Sequence, residues 1–251
     1  MSTPDYSVVI PAYNEEHFIA ATLESVIQAM EAVPSLKGEL IVTDNNSTDR
    51  TAEVAREYGA KVVFEEMQQI ARSRNAGAAQ AEGHYLVFVD ADTLITGSLL
   101  KTTLDTLETG DYCGGGTLAS FDKECGWLLR RFLALWTFLS KTFKWAAGSY
   151  VFCLKEGFVD IGGFNEEFYA SEEVHLSIAL KRWGKKRKLK MKILDEPVVT
   201  STRKVDWYTT RRLLGQFLIF FVMPWRLKSR EGCRLWYDRP EEERDEVISN
   251  E

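Results

Sequence analysis

YLVFVDADT, residues 85–93, decides the fold: an apolar run that stops abruptly at two carboxylates. Leu86 to Val89 contains no polar side chain, which predicts a strand covered on both faces. Three more short apolar runs lie upstream: Ser7 to Ile10, Leu40 to Thr43 and Lys61 to Phe64. Helical patterns separate them. Ile19, Leu23, Val26, Ile27 and Met30 recur at helical spacing. A second helix is expected over about 48–58, stopping at Gly59, and a third over about 69–81, stopping before Gly83. Strands alternating with helices imply an α/β fold with a mostly parallel sheet covered by helices. Such sheets bind ligands beyond the carboxyl ends of their strands.

Polar residues cluster at those ends. The first run leads into Pro11-Ala12-Tyr13-Asn14-Glu15, the second into Asp44-Asn45-Asn46-Ser47-Thr48-Asp49, and the fourth into Asp90-Ala91-Asp92. Asp90 and Asp92, two apart at a strand end, can both reach forward. Two close carboxylates repel each other unless a cation lies between them. Oxygen ligands suit Mg²⁺ or Mn²⁺, ions that also bind substrate phosphates. Asp44 can accept hydrogen bonds from a base or a ribose, while Asn46, Ser47 or Thr48 can cap the next helix. Tyr13 can stack on a base and Glu15 can accept polar hydrogens, although Glu15 and Glu16 also suit a helix N-terminus. Arg72 and Arg74 offer forks that fit a phosphate, or a surface salt bridge.

The second half is less regular. Gly114-Gly115-Gly116 predicts a bend or a close backbone approach. An aromatic helix is expected over about 126–145, with Arg130, Ala134, Thr137, Lys141 and Lys144 forming a polar, basic stripe. Ser149 to Leu154 reads as a strand and Gly162-Gly163 as a turn. A helix over about 171–183 leads into a run with eight basic residues between Lys181 and Lys192. An apolar helix is expected over about 207–222, and a charged, disordered tail after Pro240.

The 251 residues, 45% hydrophobic and 27% charged, are ordinary globular composition, which excludes wholesale disorder and coiled coil. A net charge of -6 argues against a general nucleic-acid binder. Cys113, Cys125, Cys153 and Cys233 form no CxxC pair, so buried thiols in a reducing compartment are expected. MSTPDYSVVIPAYNEE carries no visible secretory signal. The longest apolar run, Leu213 to Trp225, is interrupted by Gly215 and Gln216, and a spanning helix needs ~20 apolar residues. A transmembrane protein is therefore not expected.

Six segments in order resemble the family 2 glycosyltransferases, which have the GT-A fold. They are VVIPAYNEE (8–16), IVTDNNSTDRT (41–51), ARSRNAGAAQAEG (71–83), YLVFVDADT (85–93), IGGFNEEF (161–168) and SEEVHLSIALKRWG (171–184). The resemblance covers about 7–205. It implies an inverting transfer of a sugar from a nucleotide-diphosphate sugar to a hydroxyl acceptor. It also implies that Pro11, Ala12, Tyr13, Glu15 and Asp44 hold the nucleoside, with Arg74 as the basic residue of the RN pair. Asp90 then lies near the nucleotide and Asp92 on the metal. The family's Glu-Asp base pair reads Glu172-Glu173 here, one methylene longer, with Glu173 at the base position and Glu172 as the alternative. His175 shares a helix face with Glu172 and is a candidate to orient it or to ligate the metal. Asp90 is a further metal candidate. Arg203 and Gly115 are candidates for the diphosphate, the acceptor or the donor sugar, against a surface arginine and a plain strand bend.

The implied layout is one domain, 1–238, with a nucleotide-binding half at about 5–95, an acceptor half at about 96–205 and a C-terminal helix at about 206–228. The acidic tail is 239–251. Basic residues beside both apolar helices make an anionic membrane surface a candidate partner and a lipid-linked or cell-envelope polysaccharide a candidate acceptor. The competing cover is core or a homodimer interface. The expected location is cytoplasmic, or peripheral on the inner face of the membrane. Two other functions compete: a sugar-nucleotide-binding domain without turnover, and a haloacid-dehalogenase-type phosphatase, whose hhhDxDxT motif LVFVDADT also resembles.

Overall fold

A computed structural model describes residues 3–121, 127–146, 148–200 and 224–237. The four expected strands form: β1 (Tyr6–Ala12), β2 (Gly38–Asp44), β3 (Lys61–Phe64) and β4 (Tyr85–Val89). β1 lies between β2 and β4, and β3 flanks β2, all parallel. Alternate side chains go to opposite layers, as a pleated strand requires. Val8, Ile10, Val87 and Val89 join the cluster on one face, while Val9, Leu86 and Phe88 join the other. Both layers are closed by helices, so β1 and β4 at the centre carry no solvent face, while β3 at the edge leaves Lys61 and Phe64 exposed.

The first layer holds α1 (Ile19–Glu31) and α2 (Thr51–Glu57) through Ile19, Leu23, Val26 and Ala55. The second holds α3 (Ile70–Ala79), whose Ala71 and Ala78 lie against Val9, Ile41 and Leu86. Small residues let α3 lie close to the sheet. A Cβ at Gly77 would meet Thr43 Oγ1 and Val9 Cγ1 at 2.5 Å each, a contact that would displace the helix.

Beyond β4 the order of elements is β5 (Thr93–Leu94), α4 (Gly97–Glu108), β6 (Tyr112–Phe121), α5 (Trp127–Phe143), β7 (Tyr150–Leu154), α6 (Lys155–Asp160), α7 (Glu172–Arg187) and β8 (Lys190–Thr200). The sheet order is β3-β2-β1-β4-β7-β6-β8-β5. β7 is antiparallel to both β4 and β6, and β5 to β8, whereas β6 and β8 run parallel. The parallel half is thus extended by a mixed half.

Several elements differ from expectation. The triglycine makes no bend: Gly114, Gly115 and Gly116 sit in β6, paired with β7 and β8. The close approach is real, since a Cβ at Gly115 would overlap the Lys192 carbonyl oxygen. The basic run is two elements, because α7 continues to Arg187, Lys188 turns in the left-handed region (φ 63°), and β8 begins at Lys190. Helix α4 was not foreseen, although Thr96 caps it by accepting from the Leu99 N–H and Leu99, Leu100, Leu104 and Leu107 form its buried stripe. The apolar helix expected at 207–222 and the tail lie outside the described residues. At the end of the expected 206–228 helix, 224–228 is instead a 3₁₀ turn.

Candidate active site

The carboxyl ends of β1, β2 and β4 form one edge, and backbone-to-side-chain bonds hold it together. Asn14, in a left-handed conformation (φ 51°), donates its N–H to Ser47 Oγ (3.0 Å) and accepts from the Thr48 N–H (2.7 Å). The Glu15 N–H meets Thr51 Oγ1 at 2.7 Å, and the Glu16 N–H meets Asp49 Oδ2 at 3.1 Å. The two loops therefore act as a single wall. Pro11 and Ala12 end β1, and Tyr13 and Glu15 are half-buried just beyond it. Asp44 is buried at the end of β2, and its Oδ1 accepts from the Ser47 N–H at 3.1 Å. Asn45 anchors the next loop: its Nδ2 donates to the Glu65 and Met67 carbonyls and its Oδ1 accepts from the Gln69 N–H.

At the end of β4 the backbone is fixed on both sides. The Asp90 N–H donates to the Ser149 carbonyl, the Thr93 N–H to the Asp90 carbonyl, and Thr22 Oγ1 to the Ala91 carbonyl at 2.8 Å. Asp90 and Asp92 are both half-buried in this turn. Arg74, projecting from α3, reaches Asp90 Oδ1 with Nη2 at 2.7 Å and Glu172 Oε1 with Nη1 at 2.6 Å. Its guanidinium also lies 5.2 Å from the Phe164 ring centroid. Arg74 is 3% exposed. Both Nη groups are committed to carboxylates, so this arginine bridges the end of β4 to the start of α7. Burial disfavours its charge, but Asp90 and Glu172 outweigh burial and raise its pKa further.

The segment leading into α7 is held by amides. Gly162 and Gly163 turn with φ of 81° and 76°, a region that glycine enters without strain. Asn75, next to Arg74, accepts from the Phe164 N–H and donates to the Phe164 carbonyl, both at 2.9 Å. Gln69 Nε2 donates to the Glu166 and Phe168 carbonyls. Ser171 then takes φ 69°, and Glu172 and Glu173 open the helix. Glu172 is buried, and burial together with the neighbouring Glu173 pushes its carboxyl up to about 8 against the pull of Arg74. Glu173 is half-buried, its Oε1 3.5 Å from the Gly148 nitrogen, and burial raises its carboxyl too. The pair titrates as a unit. Only Glu172 is pinned by the arginine, which leaves Glu173 to face the loop at 148.

A second clamp comes from the far end of the chain. Residues 224–237 lie on the lead-in to α7: Phe168 and Ala170 cluster with Leu227 and Cys233. The Tyr169 N–H donates to the Leu227 carbonyl at 2.7 Å, and the Ile70 N–H, at the start of α3, donates to Tyr237 Oη at 3.2 Å. The chain's last described residues thus brace both helices that meet at Arg74. Sequence reasoning missed Asn45, Gln69, Asn75 and Tyr237. Of these only Asn75 carried a signal, as the second residue of the RN pair.

The remaining candidates sit elsewhere. His175 stacks on Phe168 (3.9 Å between centroids, 22°), and burial and then Lys228 lower its pKa. Arg72 pairs with Glu65 and Glu166 at the surface. The glycine at 115 is accounted for by the Lys192 carbonyl. Arg203 lies outside the described residues. Among the described residues no group of three or more His, Cys, Asp or Glu is placed to hold a metal ion. Asp90 and Asp92 still fit Mg²⁺ or Mn²⁺, because such ions are held by one or two carboxylates and completed by substrate phosphates and water. Among the described residues no helix is long and apolar enough to cross a membrane.

Comparison with known proteins agrees with this geometry. Residues 7–155 match the family described as Glycosyl transferase family 2. The poly(ribitol-phosphate) beta-N-acetylglucosaminyltransferase TarS of Staphylococcus aureus (strain Mu50) is 34% identical over 102 residues, 38% of this chain and 18% of that protein. Glycosyltransferase AglE of Haloferax volcanii is 35% identical over 120 residues, 45% of this chain and 39% of that protein. The aligned part is thus well under half of either relative. The crystal structure of S. aureus TarS 1-349 superposes with a TM-score of 0.61 at 18% identity, covering 95% of this chain and 77% of that one. The mannosyltransferase PcManGT from Pyrobaculum calidifontis, in complex with GDP-Man and Mn²⁺, gives 0.61 at 19% identity, covering 80% and 57%. These structures share the GT-A fold. A parallel nucleotide-side sheet, an acidic turn at the end of β4 and a carboxylate pair opening α7, all on a chain whose residues 7–155 match the family, make this protein a member of glycosyl transferase family 2.

Proposed function

We propose that this chain catalyses an inverting sugar transfer from a nucleotide-diphosphate sugar to a hydroxyl acceptor, with Glu173 as the base. The observation that carries it is the joining of the Asp90 turn to the Glu172-Glu173 helix start through one buried arginine. That bridge brings a phosphate-and-metal edge and a carboxylate base to the same place. The nucleoside lies along the β1 and β2 loops, against Tyr13, Glu15 and Asp44. Asp92 and Asp90 would hold a divalent cation, whose positive charge would offset that of the diphosphate leaving group. Glu173 takes the acceptor's hydroxyl proton while that oxygen bonds to the anomeric carbon. The bond from that carbon to the diphosphate oxygen breaks with its electron pair leaving on phosphate, so the configuration inverts. Glu172, locked on Arg74, fixes the first turn of the helix that carries Glu173. Burial raises the pair towards neutral pH, where a general base is most effective. The acceptor side faces the loop at 148. The TarS relative's name and its UDP-GlcNAc complex support a cell-envelope glycan as acceptor and a uridine donor as the first to try.

The test is thermal stabilisation by UDP, GDP, CDP and dTDP, each with Mn²⁺ or with EDTA. A ligand at about 100 times Kd adds roughly 2.7 kcal/mol, about 5–11 °C for a chain of this size. A shift with one diphosphate that vanishes with EDTA is expected. No shift with any diphosphate would overturn the proposal.

A further inference from the structure

Helix α5 is unlike the rest of the surface. It contains no Asp or Glu, in a chain whose net charge is -6. Trp127, Leu135 and Phe138 are 68%, 54% and 64% exposed, and Arg130 and Arg131 are exposed among them. At 100° per residue these five positions share one side of the helix. The helix itself supplies no acid to this face, and the carboxylate beside it, Asp195, is neutralised by Lys141 at 2.6 Å; an aromatic and aliphatic face studded with arginine is what an anionic bilayer surface attracts, apolar groups entering the acyl boundary and guanidinium groups meeting phosphates. Three large apolar side chains exposed along one helix face are more than a soluble monomer ordinarily leaves in water.

We infer that α5 docks on an anionic lipid surface, flat against it, through Trp127, Leu135 and Phe138 with Arg130 and Arg131. The position of the helix gives this docking a use. Phe143 at its end stacks on Trp145 at 4.9 Å. The Ala146 N–H donates to Ser177 Oγ of α7 at 2.9 Å, and Gly148 N lies 3.5 Å from Glu173 Oε1. A short loop therefore links the docking helix to the proposed base, so a bilayer under α5 lies on the acceptor side of the site. The use rests on the transferase proposal, but the docking does not.

The experiment is flotation of the full chain with vesicles of phosphatidylcholine, alone or with about a third phosphatidylglycerol, at about 0.1 M salt. Binding to the anionic vesicles and little to the neutral ones is expected. Each basic residue near such a surface contributes about fivefold in affinity, so R130Q/R131Q should bind about thirtyfold more weakly. F138Q should also weaken binding. These exposed substitutions should leave the melting temperature and the diphosphate-induced shift unchanged, which separates failure of docking from failure of the transferase proposal. Absence of wild-type binding to anionic vesicles would overturn the inference. So would variants that bind like wild type, or an F138Q variant that only converts a dimer to a monomer by light scattering.

Discussion

Arg74→Met removes the bridge between the end of β4 and the start of α7. Its cost can be worked from the geometry. The substitution breaks the 2.6 Å contact to Glu172 and the 2.7 Å contact to Asp90. Breaking a buried ion pair by deleting one partner costs about 3–5 kcal/mol, because the remaining charge is left without compensation. The Asp90 side chain is 30% exposed and water takes over its lost contact, so the cost falls mostly on Glu172, 5% exposed, at about 3 kcal/mol. That is a fall of about 6–12 °C in Tm. The deficit should depend on pH. Burial raises the Glu172 carboxyl from 4.5 to about 8 in the folded protein. The folded state therefore holds a proton that the unfolded chain gives up, and stability falls as pH rises across that window. Without Arg74 the carboxyl is harder still to ionise. At about pH 5.5 it keeps its proton and needs no cation, so the deficit should shrink by half or more; near pH 8.5, where Glu172 ionises in the wild type but resists ionising without Arg74, it should be larger. Adding Glu172→Gln to the Arg74→Met variant should recover about 2 kcal/mol. Calorimetric melts at both pH values, on the two single variants and the double, measure all of this. An equal Tm loss at both pH values, or no recovery in the double variant, would refute the reasoning.

Four other outcomes are expected. Glu173→Gln should lower kcat by about 10²–10⁴ while keeping the diphosphate-induced melting shift, and Glu173→Asp should restore part of the rate; diphosphate release measures both. Because burial raises the Glu173 carboxyl and the base must be ionised, kcat/KM should still be climbing with pH above the range in which ordinary carboxylates titrate; a profile already flat at about pH 5.5 would assign the proton transfer to another group. Gly115→Ala, which drives a methyl into the Lys192 carbonyl, should cost about 1–3 kcal/mol, read as a lower denaturant midpoint at unchanged slope. Tyr237→Phe leaves the Ile70 N–H without its acceptor and should cost about 1–3 kcal/mol, with faster hydrogen exchange at the first turn of α3 as its mark.

The nucleotide half was legible because its strands are buried on both faces: YLVFV and the runs around Val8 and Ile41 leave periodicity little choice. The second half showed β7 in Ser149 to Leu154 but hid β6 and β8. β6 opens with three glycines, which pattern reading takes for a bend, yet they are there because β7 and β8 press in from either side. β8 carries Lys190, Lys192, Asp195, Glu196 and Pro197, an unlikely spelling for a strand, and its fit depends on neighbours brought in from far along the chain. The carboxylates at the strand ends, Asp44, Asp90 and Asp92, could be found from residue type and position, whereas Glu172 and Glu173 came from the family resemblance. The bridging role of Arg74 could not, since an arginine suited to a phosphate and one suited to two buried carboxylates have the same side chain. The contact from Ile70 to Tyr237 spans 167 residues and leaves no local trace.

The brace at 224–237 also orders events in time. A ribosome releases the chain from its N-terminus at about 5–20 residues per second, and domains fold as they emerge. The β1–β4 strands emerge first, and their core is completed as Tyr150, Phe152, Leu194 and Val198 follow. Glu172 emerges later, but the segment that seats its lead-in emerges later again, roughly 3–13 s behind it. During that interval a nascent chain has the acidic turn after β4 and the carboxylates that open α7, but not the segment that braces them. Completion of this protein as a catalyst is thus tied to completion of its synthesis up to Tyr237.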